Sequence, residues 1–138
     1  MSTLHEAVVE LHQKAPLATM NQGWWFWIRL GPLRIPFIHP RQFHWHDLHH
    51  VALGYETNVV GEAEISAFEL RTGTKTFLVT VLCVLGVLVG LFAAPGRTWT
   101  AFRRARGCRN LYGAALPHPE VLAWTVDDLR RWMGIHER

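Results

Sequence analysis

His46-Asp47-Leu48-His49-His50-Val51-Ala52-Leu53-Gly54-Tyr55-Glu56-Thr57-Asn58-Val59-Val60-Gly61-Glu62 is the stretch on which the fold turns. It reads HDxxH followed, after eleven intervening residues, by a glutamate. On a helix, residues four apart share a face, one turn or ~6 Å apart. At ~100° per residue, Asp47 lies ~100° round from His46 and His50 only ~40° round, so the three occupy about one quadrant. Neutral imidazole nitrogens and carboxylate oxygens are the ligands that a divalent first-row metal takes. Gly54 tolerates the left-handed conformation that closes a helix. Thr57 and Asn58 offer side chains that cap the N–H groups of the next one. Tyr55-Glu56 leaves room only for a tight reversal between antiparallel neighbours. His50 stands four residues before Gly54, and Glu62 four after Asn58, so each lies about one turn from the reversal. The spacing predicts helices over about 42–53 and 58–73, with His46, Asp47, His50 and Glu62 meeting across them.

Other polar groups near the motif are less determined. His49 falls ~60° from His46 on the side away from His50, either as a partner that orients a ligand or as a spare ligand. Ile65 and Phe68, with Val60 and Leu70, supply a packing face for the second helix. Glu64 and Glu69 read as solvated residues pointing elsewhere than Glu62.

The stretch HDLHHVALGYETNVVGE resembles the signature of the coenzyme Q biosynthesis protein four family. The likeness takes in Gly54 before the turn, Thr57-Asn58 and Gly61-Glu62 after it, and the aromatic–acidic pair Phe68-Glu69. Asp128 to Ile135 is similar to the family's closing segment, so the resemblance runs over roughly residues 35 to 138. It implies an all-helical, membrane-associated protein of ubiquinone assembly that binds a polyprenylated head-group precursor near a metal. The implied reaction removes the ring carboxylate with oxidation at the same carbon, and His46, Asp47, His50 and Glu62 would be the metal-site residues. The resemblance leans to Zn²⁺; two imidazoles with carboxylates also suit non-haem Fe²⁺.

Composition points the same way. Hydrophobic residues make up 49% and charged ones 18%, a low charge for a water-facing helical chain. Seven Trp and seven Phe favour a lipid headgroup zone. A net charge of +3 with no recognised nucleic-acid motif excludes a nucleic-acid partner. Two distant cysteines form neither a disulfide framework nor a thiolate zinc pattern. The beginning of the chain lacks the basic patch and apolar stretch of a cleaved secretory signal.

Outward from the motif, residues 2 to 14 carry Leu4, Ala7, Val8 and Leu11 at helical spacing. Trp24, Trp25, Phe26 and Trp27 read as an interfacial anchor, one wall of a lipid-tail site, or a core wedge. Pro32, Pro36 and Pro40 predict an extended connector over 31–41. Phe77 to Ala94 is eighteen residues without a charge, ~27 Å as a helix and close to a bilayer's apolar thickness. A membrane span is the preferred reading, with an in-plane or buried helix as the alternative. Gly86 and Gly90 form a small-xxx-small face for packing or for a homodimer. Trp99, Phe102, Arg103 and Arg104 form a basic aromatic surface suited to anionic headgroups, and Val126 to Gly134 is a closing helix capped by Thr125.

The expectation is therefore a single all-α domain over residues 1–138. It comprises residues 1–41, the motif helix pair 42–73, the apolar helix 74–96 and the basic, aromatic segment 97–138. Two functions stay open. One is a metal-dependent enzyme of the ubiquinone route, at a bacterial or mitochondrial inner membrane, acting on a polyprenylated aromatic acid. The other is a non-catalytic quinone- or lipid-binding subunit of a respiratory or photosynthetic membrane complex.

Overall fold

Gly54 and Asn58 set the frame of the molecule. In the computed structural model, which describes residues 2–14, 25–30, 32–38, 43–116 and 118–135, Gly54 has φ +69° and donates its N–H to the His50 carbonyl at 2.8 Å. It thereby closes α2 (Phe43–Leu53). The Asn58 side chain accepts the Gly61 N–H at 2.9 Å and opens α3 (Val59–Thr72). Both ends fall within a residue or so of the predicted positions, because both are set by local capping chemistry. Gly61 is required for a different reason. A Cβ there would run into the Glu56 carbonyl, so the reversal folds directly onto the first turn of α3.

The remaining elements are α1 (Leu4–Lys14), the strands β1 (Trp25–Leu30) and β2 (Leu33–Ile38), α4 (Phe77–Ala93) and α5 (Pro95–Arg104). A 3-10 turn (Leu111–Gly113), α6 (His118–Leu122) and α7 (Val126–Met133) complete the order. The chain is predominantly helical, as expected. α3 is its central rod, packed by α2, α4 and α5. Ala63, Ile65, Ala67 and Phe68 are all buried, and the small alanines let neighbours approach on several sides. The main core joins Leu4, Leu48, Phe68, Leu111, Leu129 and Met133. A Thr125–Asp128 capping box starts α7. Arg130 Nε then donates to the Ala52 carbonyl at 2.8 Å, satisfying a free acceptor at the end of α2. Leu4 N–H to the Trp124 carbonyl, 2.8 Å, fixes α1 beside it.

One expectation about the flanking segments changes. The connector predicted over 31–41 contributes β2, which pairs antiparallel with β1 from Trp25↔Ile38 to Leu30↔Leu33. Pro36 does not prevent this, since each strand of a two-stranded sheet is an edge with ladder positions that need no donor. Trp24 lies outside the described residues, whereas Trp25, Phe26 and Trp27 belong to β1.

The predicted membrane span is also corrected. Among the described residues no helix is long and apolar enough to cross a membrane. α4 covers 17 residues before Ala94 ends it, and Pro95 starts α5. One stripe of α4 is committed to the protein: Val79, Cys83 and Gly90 are buried, and Gly86 sits on Ser66 of α3. Gly86 and Gly90 are thus an internal helix-packing face. A Cβ on Gly90 would come within 2.5 Å of both Ala63 Cβ and Thr98 Oγ1. Gly90→Val should accordingly cost about 1–3 kcal/mol by overpacking, seen as a lower thermal midpoint, whereas Leu88→Val on the open side of α4 should barely move it.

Candidate metal centre

Three side chains converge where α2 faces α3. His46 and His50 bring their Nε2 atoms to 3.3 Å of each other. Glu62 presents Oε2 to His46 Nε2 and Oε1 to His50 Nε2, each at 3.2 Å. One ligand atom from each of the three lies within 4.8 Å of the others, so His46, His50 and Glu62 can hold a metal ion. For Zn²⁺ with bonds of 2.0–2.1 Å, a tetrahedral site has ligand–ligand edges of ~3.3 Å. The 3.3 Å between the two Nε2 atoms matches that edge, while Glu62 offers a different oxygen to each ring and would turn to present one of them to the ion.

The other ring nitrogens determine what these Nε2 atoms are. His50 Nδ1 faces the Tyr55 carbonyl at 3.1 Å. A carbonyl only accepts, so Nδ1 carries the proton. His46 Nδ1 faces Glu69 Oε1 at 3.0 Å and donates likewise. With Nδ1 the donor in each ring, Nε2 is the atom that each turns toward the other and toward the carboxylate; in the metal-free cluster a proton on His46 fills that space, and an ion would displace it. Three electron-rich groups at hydrogen-bond distance call for a shared cation, either a proton or a metal ion.

Glu69 is buried, 1% exposed, and its surroundings correct the expectation of a solvated residue. Its Oε1 accepts from His46 Nδ1, from His49 Nδ1 at 2.8 Å and from the Tyr112 hydroxyl at 2.9 Å. Cys83 donates its thiol to Oε2 at 3.5 Å. His49 is fixed from its other side by the Leu111 N–H, which donates to Nε2 at 3.2 Å. That nitrogen is consumed, so His49 is no spare ligand. Glu64 is buried as well: Arg97 grips it with two hydrogen bonds, 3.0 and 2.8 Å, linking α5 to α3. Asp47 sits half-buried on α2, and its carboxylate is outside the group of three.

Burial and charge oppose one another throughout the cluster. Desolvation alone would lower His46, but Glu69 and Glu62 hold it well above the ordinary imidazole value. Burial would raise Glu62, yet hydrogen bonds and charge from His46 and His50 pull it down to about 2. Glu69 is likewise held below the usual carboxylate range: burial opposes ionisation, and His46 and His49 overcome it. Burial pushes His49 down despite Glu69, which keeps it neutral. The Glu62 side chain is 37% exposed and that of His46 14%, so a fourth ligand can enter from solvent.

Of the expected lipid-facing residues, Trp99, Phe102, Arg103 and Arg104 belong to α5 and are not part of the centre. Trp99 is exposed on α5 and stacks on Phe102 at 5.7 Å, with the Arg71 guanidinium 5.0 Å over the Phe102 ring. Arg103 and Arg104 are exposed at the end of the same helix. α5 packs against α4. The outward side of α4 exposes Phe77, Leu78, Leu85, Leu88 and Phe92, the last at 94%. Comparison with family models, curated proteins and solved structures returns no match.

Proposed function

We propose that this chain is a membrane-associated metal protein of ubiquinone biosynthesis that binds, and acts on, a polyprenylated aromatic acid. One observation carries the reading: the outward Nδ1–H bonds of His46 and His50 turn both Nε2 atoms, with the Glu62 carboxylate, toward a common point. Zn²⁺ suits that donor set, with Fe²⁺ as the alternative. Bound there, it would supply Lewis-acid polarisation of a ring carboxylate. The protein's own part is to hold His46 and His50 in one tautomer and to leave an approach beside the partly exposed Glu62. Asp47, next to the three but not among them, is the candidate for relaying a proton.

The uncovered apolar side of α4 supports association with lipid and with a polyprenyl tail. A helix lying in the interface plane buries such a face without crossing the bilayer. The same surface favours a second reading, a non-catalytic quinone-binding subunit whose α4 is covered by a larger membrane complex. An inner membrane, bacterial or mitochondrial, is the compartment either reading requires.

The test is to load the purified protein with zinc or iron, supply a prenylated hydroxybenzoate in vesicles, and follow release of carbon dioxide. In that step the bond from ring to carboxylate breaks, carbon dioxide leaves and a proton takes its place; the oxidative form, which puts a hydroxyl there, consumes a two-electron oxidant, so dioxygen is supplied in a parallel assay. Release with either metal supports the enzyme. A folded, metal-loaded protein that binds the lipid without turnover supports the accessory subunit instead.

A further inference from the structure

We propose that Glu69 is the positioning residue of this centre, a single buried carboxylate that selects which nitrogen of His46 meets the ion. The inference rests on the metal-binding reading above and deepens it. Glu69 stands seven residues after Glu62, two turns along α3 and ~20° round, so both carboxylates lie on one stripe. They have different work. Glu62 meets the two Nε2 atoms directly. Glu69 lies behind His46, with Oε1 on its Nδ1 at 3.0 Å.

The geometry shows how one side chain can set two rings. Oε1 is shared by His46, His49 and the Tyr112 hydroxyl, all donors. The Leu111 N–H occupies His49 Nε2, so His49 can turn only Nδ1–H toward Glu69. His49 also meets Phe68 and Tyr112 edge or face at 5.6 and 5.2 Å between ring centres, which locks its plane. A carboxylate held by this fixed donor cannot swing away from His46. The consequence is that His46 Nδ1 stays committed to Glu69, and Nε2 is the nitrogen turned toward Glu62, His50 and the ion. Such an outer carboxylate both orients a histidine ligand and raises its basicity, and its loss typically costs ~10–100-fold in metal affinity.

Glu69→Gln keeps an oxygen acceptor and removes the charge; Glu69→Leu removes both. Zinc titration should show 10–100-fold weaker binding for Gln and a greater loss for Leu. The visible spectrum of the cobalt-substituted protein should shift in Gln, a change that mere loosening of the fold would not produce. Nitrogen NMR of the zinc-loaded native protein provides a reading that needs no variant: His46 and His49 should both be protonated at Nδ1, with His46 ligated through Nε2. Wild-type zinc affinity and an unmoved cobalt spectrum in Glu69→Gln would overturn the proposal, as would ligation of His46 through Nδ1. Absence of zinc binding by the native chain would instead sink the metal reading itself, so the two failures are distinct.

Discussion

His50→Ala is expected to abolish measurable zinc binding at neutral pH, and Glu62→Gln to weaken it by two to three powers of ten. Zinc held by four ligands binds with ~10–16 kcal/mol, or roughly 3–4 kcal/mol per ligand. That is a factor of about 10²–10³ for each ligand lost. His50 is buried and its Nδ1 holds the Tyr55 carbonyl, so the alanine variant also loses a tie across the reversal. Glu62 is partly exposed, so its replacement isolates the effect on the ion from any effect on folding. The pH dependence has a definite sign. In the metal-free cluster burial opposes a charged His46, while Glu69 and Glu62 hold its proton to a pH well above the ordinary 6.5. An ion must displace that proton, so zinc affinity should climb about tenfold per pH unit and level off above the raised His46 value. Glu62→Gln removes one of the two carboxylates that raise it, and the plateau should begin at lower pH. For the metal-free fold, the His46 contribution is complete below 6.5 and is lost as pH rises through the raised value. The Glu62 contribution is present above 4.5 and is lost as pH falls toward about 2. Thermal unfolding without metal should therefore be most resistant between about 4.5 and 6.5 as far as these groups decide it. Equal zinc affinity for the native chain and His50→Ala would remove the centre.

What could be read from sequence was whatever depends on neighbours along the chain. Gly54 and Asn58 act within one helical turn, and the eleven-residue gap between His50 and Glu62 follows from them. The donor set of His46, His50 and Glu62 was legible for that reason. Glu69 was missed although its signal was present, since a spacing of seven returns to the same stripe as Glu62. Its partners explain the difficulty: Tyr112 and Leu111 come from a distant turn that no local pattern ties to α3. The Glu64–Arg97 pair spans 33 positions and is equally invisible to periodicity. In the hairpin, Pro36 hid a strand whose flanking apolar runs were otherwise plain. For α4, mean apolarity outweighed a finer pattern. Val79, Cys83, Gly86 and Gly90 recur at intervals of four, three and four, which marks the side that packs inside the protein.

The opposite side of α4 leads to the second large effect. Leu85→Glu combined with Leu88→Glu should detach the protein from lipid vesicles. These two leucines are 52% and 58% exposed, between the more exposed Phe77 and Phe92. Burying a leucine side chain in an apolar phase is worth ~1.5–3 kcal/mol. Losing two therefore removes ~3–6 kcal/mol, a fall of ~10²–10⁴ in partition. Neither residue belongs to a core cluster, so the thermal midpoint should stay within a few degrees of the parent. The neighbouring α5 adds a test of mechanism. Arg103 and Arg104 are exposed beside Trp99, and a basic residue near an anionic lipid surface contributes ~1 kcal/mol. Vesicles with anionic lipid should therefore bind more tightly than neutral ones, and salt should erase only that difference. Apolar burial by α4 is not screened, so a residual attachment should persist at high salt. A native protein that ignores both kinds of vesicle and sediments as a dimer, which the double variant returns to monomer, would instead assign this face to a second copy of the chain.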